Sequence, residues 1–352
     1  MQKDNRVLKL RLLPPSPENP RNSEGSIIQL KDGRLLLAYS HFYGGSADNS
    51  PARIAGRFSE DGGKTWTEQD VIIQENEGKE NTMSVTLLRL ASGEIGFFYV
   101  IKNSWSDCRL YLRKSTDEAK TWSEKVCTIP QEGYYVVNND RVIQLSSGRL
   151  LVPAAYHPCS DGTSKTWSSR GISMCFLSDD NGETWYKSQT ELEGPERSKS
   201  GLQEPGVIEL KDGSIMMLMR TDQGCQFCSY SYDGGETWTP AQPTELLSPC
   251  SPATVKRIPT TGDLLLIWND HSGEYARFGN KRTPLTAAIS RDEGQSWENK
   301  KIIEDDPDGW YCYTSLTFVE DTAVLSYCAG NSKIGGLNLL QVSLIKIDWF
   351  YD

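Results

Sequence analysis

The segment SEDGGKTW at residues 59–66 recurs four more times, and this repeat constrains the fold more than any other feature of the chain. In this segment Ser opens a turn, Asp accepts hydrogen bonds from backbone N–H groups that follow, and Trp packs between sheets. Gly stands at the fifth position of four copies, where a positive φ is tolerated without a Cβ. The later copies are STDEAKTW, SDDNGETW, SYDGGETW and SRDEGQSW. The repeat predicts five rigid hairpin corners, which we call Asp boxes.

A second repeat, out of phase with the first, has the pattern of a strand, a tight turn and a second strand. Such an inner hairpin, followed by an outer hairpin that carries an Asp box, makes one four-stranded antiparallel sheet. Repeats of roughly 50 to 60 residues with four strands are typical of propeller blades. The inner hairpins cover residues 27–40, 85–100, 141–156, 206–220 and 253–269, with a weaker sixth at 314–328.

These two repeats together predict an all-β chain folded as a six-bladed β-propeller of four-stranded antiparallel blades. No linker or change of composition divides the sequence, so residues 1–352 are expected to form a single domain. The sixth inner hairpin has no Asp box after it. We therefore expect the N-terminal segment to pair with the last strand and close the ring.

Composition excludes several classes of function. A net charge of −10 and a pI near 5.0 argue against nucleic-acid binding. No apolar run approaches the roughly 20 residues that a membrane helix needs. Nine thinly spread cysteines indicate free thiols, and CQFC has no second pair for a metal site, so neither a metal nor another cofactor is predicted. The N-terminus has no apolar signal segment, which indicates a cytoplasmic protein or one whose leader was removed.

Serial Asp boxes on a six-bladed propeller resemble the sialidase (neuraminidase) superfamily, and the resemblance covers nearly the whole chain. It implies a site where the inner strands converge on the central axis, with three arginines, a Tyr–Glu pair and an Asp. Three guanidinium groups suit the carboxylate of a sialic acid. A neutral Tyr nucleophile avoids the repulsion that a carboxylate nucleophile would meet there, and it makes this family an exception among retaining glycosidases.

Short motifs in this sequence match those that carry the catalytic residues of the family. In EPGVIELKDGSIMMLMR, Glu204 opens the fourth inner hairpin and Arg220 ends it, so both are expected at the same end of the sheet. Tyr313 in YTSL matches the nucleophile, with Glu204 as the group that takes its proton. Tyr311, two residues earlier, would face the same side and is the alternative. Asp48, in a Gly- and Ser-rich loop before the first Asp box, matches the acid–base group.

The positions of the carboxylate-binding arginines agree less closely with the family pattern. Arg282 precedes the fifth Asp box at the expected place, although Arg277 and Lys281 are rival cations. The family has Arg-Ile-Pro at the start of the first inner strand, and this chain has NPRNSEGSIIQL instead. Arg21 is the only candidate there, about two residues early. Glu24 beside it is expected to offset one positive charge or to bind a hydroxyl group of a different sugar.

Other polar residues at hairpin ends are expected to line the site and bind substrate. NNDR enters the third inner hairpin and places Asp140 or Arg141 near the axis. His157 ends that hairpin, and Asp270 ends the fifth.

The resemblance implies a retaining exo-glycosidase that removes a terminal acidic sugar from a glycan or small acidic-sugar substrate. One alternative is a non-catalytic carbohydrate-binding propeller, whose polar residues would not converge. Another is a glycosidase or lyase that acts on a different acidic sugar. The sequence does not indicate the oligomeric state or the linkage preference.

Overall fold

The computed structural model describes residues 4–352 and confirms the all-β class. Apart from strands, it contains two short 3-10 helices, Gly273–Phe278 and Ile347–Tyr351. Within residues 4–352, no helix is both long enough and apolar enough to cross a membrane.

The strands form five sheets, four of which have four strands. The chain begins with β1 (Val7–Leu13). The first sheet contains β2 (Arg21–Gln29), β3 (Leu35–Phe42), β4 (Ala52–Ser59) and β5 (Val71–Gln74). The second contains β6 (Asn81–Arg89), β7 (Ile95–Ser104), β8 (Asp107–Ser115), β9 (Val126–Cys127), β10 (Tyr134–Val136), β11 (Ile143–Gln144), β12 (Leu150–His157), β13 (Ile172–Ser178) and β14 (Tyr186–Lys187).

The remaining strands complete three four-stranded sheets. The third sheet contains β15 (Gln203–Glu209), β16 (Ile215–Arg220), β17 (Cys225–Ser231) and β18 (Gln242–Leu247). The fourth contains β19 (Thr254–Arg257), β20 (Leu264–Trp268), β21 (Leu285–Ser290) and β22 (Glu298–Glu304). The fifth contains β23 (Gly309–Val319), β24 (Thr322–Asn331), β25 (Leu340–Lys346) and β1.

The second sheet departs from the predicted set of four-stranded blades, because it has nine strands. It consists of two antiparallel sets, β6–β9 and β10–β14, joined by one parallel pairing between Tyr134 and Cys108. In the second set two short strands, β10 and β11, pair with β12 where one continuous inner strand was expected. The residues between them, which include NNDR, leave the sheet and form hydrogen bonds with residues of β2, β6 and β23.

The N-terminal segment pairs as predicted. β1 runs antiparallel to β25, in a register that joins Val7 to Ile345 and Leu13 to Leu340. The first strand of the chain therefore forms the outer edge of the last sheet. This pairing ties the two ends of the described chain together.

All five Asp boxes join the last two strands of an antiparallel set, which confirms their expected place on outer hairpins. In the first box, Asp61 accepts hydrogen bonds from the backbone N–H of Thr65 (2.9 Å) and from its hydroxyl group (2.7 Å). Ser59 accepts one from Gly63 N–H (2.8 Å), and the Trp66 indole donates to Gly63 O (2.9 Å). These bonds stay within the box, although Glu118 of the second box and Glu293 of the fifth also accept hydrogen bonds from Arg89 and Arg257 outside it.

The inner strands share a backbone irregularity that the sequence did not predict. β2, β6, β15 and β23 each contain a register shift, and a residue with left-handed backbone lies within it. Bulges of this kind turn one side chain out of the normal alternation of a strand. The four residues are Glu24 (φ 45°), Ser84 (58°), Glu204 (43°) and Tyr313 (58°), and Asp140 (57°) stands in the gap between β10 and β11.

Candidate active site

The ends of the inner strands open into a cavity of about 790 Å³. Of the residues assigned a role from the sequence, seven line it and an eighth supports it. Those in the lining are Glu24, Asp48, His157, Glu204, Arg220, Arg282 and Tyr313. The guanidinium of Arg21 lies just behind, in contact with two of them.

Tyr313, Glu204 and Arg220 form a connected chain in this cavity. The Tyr313 hydroxyl donates to Glu204 Oε1 at 3.1 Å, and Arg220 Nη1 donates to Glu204 Oε2 at 2.6 Å. Burial alone would raise the pKa of Glu204, but the charges of Arg220 and Arg282 outweigh it and lower the pKa. Burial, followed by the charge of Glu204, raises the pKa of Tyr313. The arrangement holds a neutral phenol against an ionised carboxylate.

Arg282 covers the other side of the phenol. Its guanidinium carbon lies 5.1 Å from the centre of the Tyr313 ring and 5.4 Å from that of Trp310. The side chain is buried, and Nε and Nη1 have no hydrogen-bond partner among residues 4–352. A buried guanidinium with free donors at a cavity wall is suited to an anionic ligand group.

Arg21 differs from the other two arginines because carboxylates already surround it. Its Nη2 donates to Glu24 Oε1 at 2.8 Å, and its Nη1 donates to Asp48 Oδ1 at 2.5 Å. Burial raises the pKa of Glu24 against the opposing charge of Arg21. The side chain of Asp48 is 70% exposed, and the protein atoms around it act to raise its pKa. The charge and hydrogen bond of Arg21 act in the opposite direction and are stronger, so the net result is a lowered pKa.

Three residues expected at the site lie elsewhere. Tyr311 packs its ring in the core against Tyr327, because the left-handed residue Tyr313 breaks the alternation that would have kept both tyrosines on one side. Asp270 accepts hydrogen bonds from Lys300 Nζ (2.9 Å) and Ser272 N–H (3.0 Å), outside the cavity lining. Asp140 lines a second cavity, of about 460 Å³, which is also lined by the far halves of inner strands.

Sequence reasoning missed Lys102, a buried cation in the lining. Its Nζ lies 3.2 Å from Glu80 Oε2 and 4.7 Å from the centre of the Trp105 ring. A signal was present: "FFYVIK" is an apolar run that ends in a charge, like "MMLMR" before Arg220. Nearby, His157 stacks on Trp167 with ring centres 4.8 Å apart and contacts Ser168 O through Nδ1 at 2.9 Å. This wall of the cavity is therefore largely aromatic.

No group of three or more His, Cys, Asp or Glu residues that could hold a metal ion occurs within residues 4–352. The charged and titratable groups of the cavity include arginines, lysines, carboxylates, a histidine and phenols. Such a set can bind an anion, move a proton and supply an oxygen nucleophile.

Comparison with known proteins matches the family model of the BNR repeat-like domain to residues 33–325 of this chain. The chain belongs to the BNR repeat-like family of the sialidase superfamily. Among curated relatives of this BNR repeat protein, the anhydrosialidase of Macrobdella decora is 28% identical over 236 residues, which is 61% of this chain and 28% of the relative. A sialidase of Paraclostridium sordellii is 27% identical over 239 residues, 60% of this chain and 56% of the relative.

Solved structures give the same fold for the BNR repeat chain. A Dyadobacter fermentans protein of unknown function superposes with a TM-score of 0.75 at 20% identity, covering 98% of this chain and all of that one. Trypanosoma rangeli sialidase superposes with a TM-score of 0.73 at 17% identity, covering 99% of this chain and 60% of that one. The matched regions span about a quarter to just over half of the two curated relatives' length, so the comparison establishes family and fold.

Proposed function

We propose that this protein is a retaining exo-glycosidase that removes a terminal acidic sugar, with Tyr313 as nucleophile, Glu204 as its proton acceptor and Asp48 as acid–base group. The observation that carries the proposal is the 3.1 Å hydrogen bond from the Tyr313 hydroxyl to Glu204, inside a cavity that also contains two arginines. A phenol bonded to an ionised carboxylate beside free guanidinium donors is an activated nucleophile next to an anion-binding group.

Substrate binding begins with the sugar carboxylate at Arg220 and Arg282, and Arg21 becomes the third contact only if Asp48 moves away. The substrate carboxylate and Asp48 compete for the same guanidinium group. When the substrate carboxylate binds Arg21, Asp48 is separated from the guanidinium charge that lowers its pKa, so Asp48 becomes easier to protonate. In this sequence of events, substrate binding itself converts Asp48 into an acid.

The first chemical step forms a bond between Tyr313 Oη and the anomeric carbon while the bond to the leaving oxygen breaks. The phenol proton passes to Glu204 Oε1, and Asp48 gives its proton to the leaving oxygen. In the second step Asp48 takes a proton from water, which attacks the anomeric carbon from the opposite side while the bond from that carbon to Tyr313 Oη breaks. Glu204 returns its proton to the phenol oxygen. Two inversions leave the product with retained configuration.

We further propose that the five sheets are six blades of a single-domain propeller over residues 1–352. Division of the nine-stranded sheet at its one parallel pairing leaves two sets, each with an Asp box and an inner hairpin. β10 and β11 together occupy the inner position of the second set. Buried apolar clusters join each set to the next, and one of them connects the first sheet to the fifth through Tyr39 and Val324.

A related acidic sugar, rather than sialic acid, is a second candidate substrate. The observation in its favour is the ion pair of Arg21 with Glu24, in a segment that lacks the family's Arg-Ile-Pro pattern. The two carboxylate oxygens of Glu24 are occupied, one by Arg21 and one by Ser23. A third guanidinium held in this way is less available to a carboxylate on the anomeric carbon.

The test is hydrolysis of a panel of fluorogenic glycosides of ulosonic and uronic acids, with the product anomer followed by NMR. Release of one acidic sugar with retained configuration supports the proposal. An inverted product, or an unsaturated product that absorbs in the ultraviolet, contradicts the mechanism. Saturable binding of acidic sugars without turnover indicates the binding propeller instead.

A further inference from the structure

Three consecutive residues, Asn139, Asp140 and Arg141, are linked to the strand that carries Tyr313, directly or through Thr254. They lie in the gap between β10 and β11, where the third inner strand is interrupted. All three are buried, with exposures of 0%, 7% and 3%. Each is connected by hydrogen bonds to a backbone group of residues 313–316, which lie more than 100 positions further along the sequence.

Asn139 holds the carbonyl of the nucleophile itself. Its Nδ2 donates to Tyr313 O at 3.0 Å and to Gly25 O at 2.6 Å. The second bond reaches the residue after Glu24, so one amide group joins two of the left-handed bulges. The amide oxygen of Asn139 has no hydrogen-bond partner among residues 4–352, and its contribution is therefore as a donor.

Asp140 holds the far side of the same bulge. Its Oδ2 accepts a hydrogen bond from Leu316 N–H at 3.0 Å and lies 2.6 Å from Lys256 Nζ, while Oδ1 accepts one from the Ser26 hydroxyl at 3.3 Å. Leu316 N–H lies immediately after the register shift between Cys312 and Ser315. The carboxylate thus fixes the point at which β23 returns to regular pairing.

Arg141 reaches the strand through one hydroxyl group. Its Nη1 donates to Thr254 Oγ1 at 2.9 Å, and that hydroxyl donates to Thr314 O at 2.8 Å. The carbonyls of residues 313 and 314 and the N–H of residue 316 are therefore all held from the same three-residue segment.

We propose that Asn139, Asp140 and Arg141 are positioning residues that impose the left-handed backbone of Tyr313 and so aim its hydroxyl at Glu204. A non-glycine residue in this conformation is unfavourable in isolation and persists when its surroundings determine it. Without these bonds, Tyr313 relaxes towards an ordinary extended conformation, and its side chain turns away from the cavity. The catalytic consequence rests on the function proposed above, whereas the structural consequence does not.

The test compares two buried asparagines that are matched in their bonding. Asn139→Ala removes donors to Tyr313 O and Gly25 O. Asn269→Ala removes a donor to Tyr311 O (3.1 Å), in the same strand as Tyr313 but before the bulge, and a donor to Pro284 O (3.0 Å), before β21. Both variants leave two buried carbonyls without a donor, so their losses of stability are expected to be similar.

The positioning role predicts a difference in catalysis between them. For Asn139→Ala we expect kcat to fall about 100-fold with KM changed less than about threefold, because misplacement by roughly 1 Å has that effect on a reacting group. For Asn269→Ala we expect kcat per folded molecule within about twofold of the parent protein. Equal kcat in the two variants overturns the proposal.

A readout without substrate separates this proposal from the proposed function. In a crystal structure of Asn139→Ala, Tyr313 is expected to lose its positive φ and the hydroxyl to move beyond hydrogen-bond distance of Glu204. Retention of both features overturns the proposal, even if the parent protein hydrolyses acidic sugars. If the parent protein has no glycosidase activity, the proposed function fails and the crystal structure still decides the positioning role.

A second pair of variants serves if Asn139→Ala does not fold. Thr254→Val removes the hydroxyl between Arg141 and Thr314 O, and Thr254→Ser keeps it. The proposal predicts a lower kcat and a displaced Tyr313 for the valine variant, with recovery of both in the serine variant. Two variants with the same kcat and the same Tyr313 geometry contradict it.

Discussion

The Asp-box corners and the axial cavity use the same kinds of polar residue, but they obtain their hydrogen bonds in opposite ways. In a corner, the carboxylate of Asp61 is satisfied by Thr65, four positions along the chain. Between the inner strands, Tyr313 bonds to Glu204 from 109 positions away in the sequence, and Leu316 bonds to Asp140 from 176. Hydrogen bonds between residues close in sequence form a corner that the chain can repeat with the same structure. Hydrogen bonds between residues far apart in sequence form a site only after the sheets have assembled.

The two regions also differ in what repetition preserves. The corners repeat a residue pattern, so five copies have nearly the same sequence and the same role. Four inner strands repeat a backbone conformation instead, a left-handed residue at a bulge, and their side chains at that position are Glu24, Ser84, Glu204 and Tyr313. Variants in the two regions are therefore expected to separate catalysis from stability.

The largest expected effect is on the nucleophile. Tyr313→Phe removes the attacking oxygen but keeps the ring that packs against Arg282, so kcat is expected to fall by about 10³-fold or more while ligand binding persists. Steady-state kinetics with calorimetric binding of a product sugar measures both quantities. Near-normal turnover in this variant would place the nucleophile elsewhere.

Asp48→Asn is expected to depend on the leaving group. With a poorly activated leaving group, kcat should fall about 100-fold, because no acid protonates the departing oxygen. Activated aryl glycosides need little protonation, so their first step should be much less affected. A loss that is independent of leaving-group pKa, measured over an aryl series, would contradict the acid role.

Low pH is expected to affect activity through the cavity and stability through the corners over different pH ranges. In the free protein Arg21 lowers the pKa of Asp48, so the protonated acid that kcat/KM requires is lost as pH rises above this lowered value, and the optimum should be acidic. Hydrogen bonds from Thr184 lower the pKa of the corner residue Asp180 to about 2. Its contribution to stability is complete above the unfolded value of 3.8 and is lost as pH falls towards 2.

The measurement is kcat/KM between pH 3.5 and 8, with circular dichroism of the same samples. We expect the fold to remain intact where kcat/KM is highest, and the alkaline limb of the profile to disappear in Asp48→Asn. An optimum above pH 7, or the same alkaline limb in that variant, would contradict the assignment.

The smallest expected effect is in a corner. Ser231 is buried, donates to Asp233 Oδ1 at 2.8 Å and accepts from Gly235 N–H at 2.8 Å. Ser231→Ala should lower the free energy of unfolding by about 1–2 kcal/mol, because a buried N–H loses its acceptor. The kcat per folded molecule should not change. Chemical denaturation and an active-site titration give the two values.

The sequence was sufficient for features that depend on neighbouring residues. Asp boxes and inner hairpins follow from turn chemistry and strand patterns, which act over short distances. The pairing of β1 with β25 joins distant residues and was inferred instead from the absence of a sixth Asp box. The Tyr313–Glu204 pair was found only because a family motif marked both positions. Nothing in the alternation of β23 indicated that Tyr311 and Tyr313 point in different directions, since the bulge depends on contacts with Asn139 and Asp140.

The same limit explains the misplaced residues. Asp140 was expected to bind substrate because NNDR begins an inner hairpin, yet the interrupted strand directs its carboxylate to Leu316 N–H on the axis. Asp270 follows a strand end in the same way and is held by Lys300. Position at a strand end predicts nearness to the axis, but the partner of each carboxylate depends on residues far away in sequence.

The most direct test of the central claim is to trap the glycosyl-enzyme intermediate. The protein is incubated with an activated fluorinated derivative of the acidic sugar that the glycoside panel identifies, in which fluorine slows the second step. Peptide mass spectrometry then locates the added mass. We predict one sugar per chain, attached to Tyr313, with no adduct in Tyr313→Phe. An adduct on another residue, or turnover of the reagent without any adduct, would contradict the account.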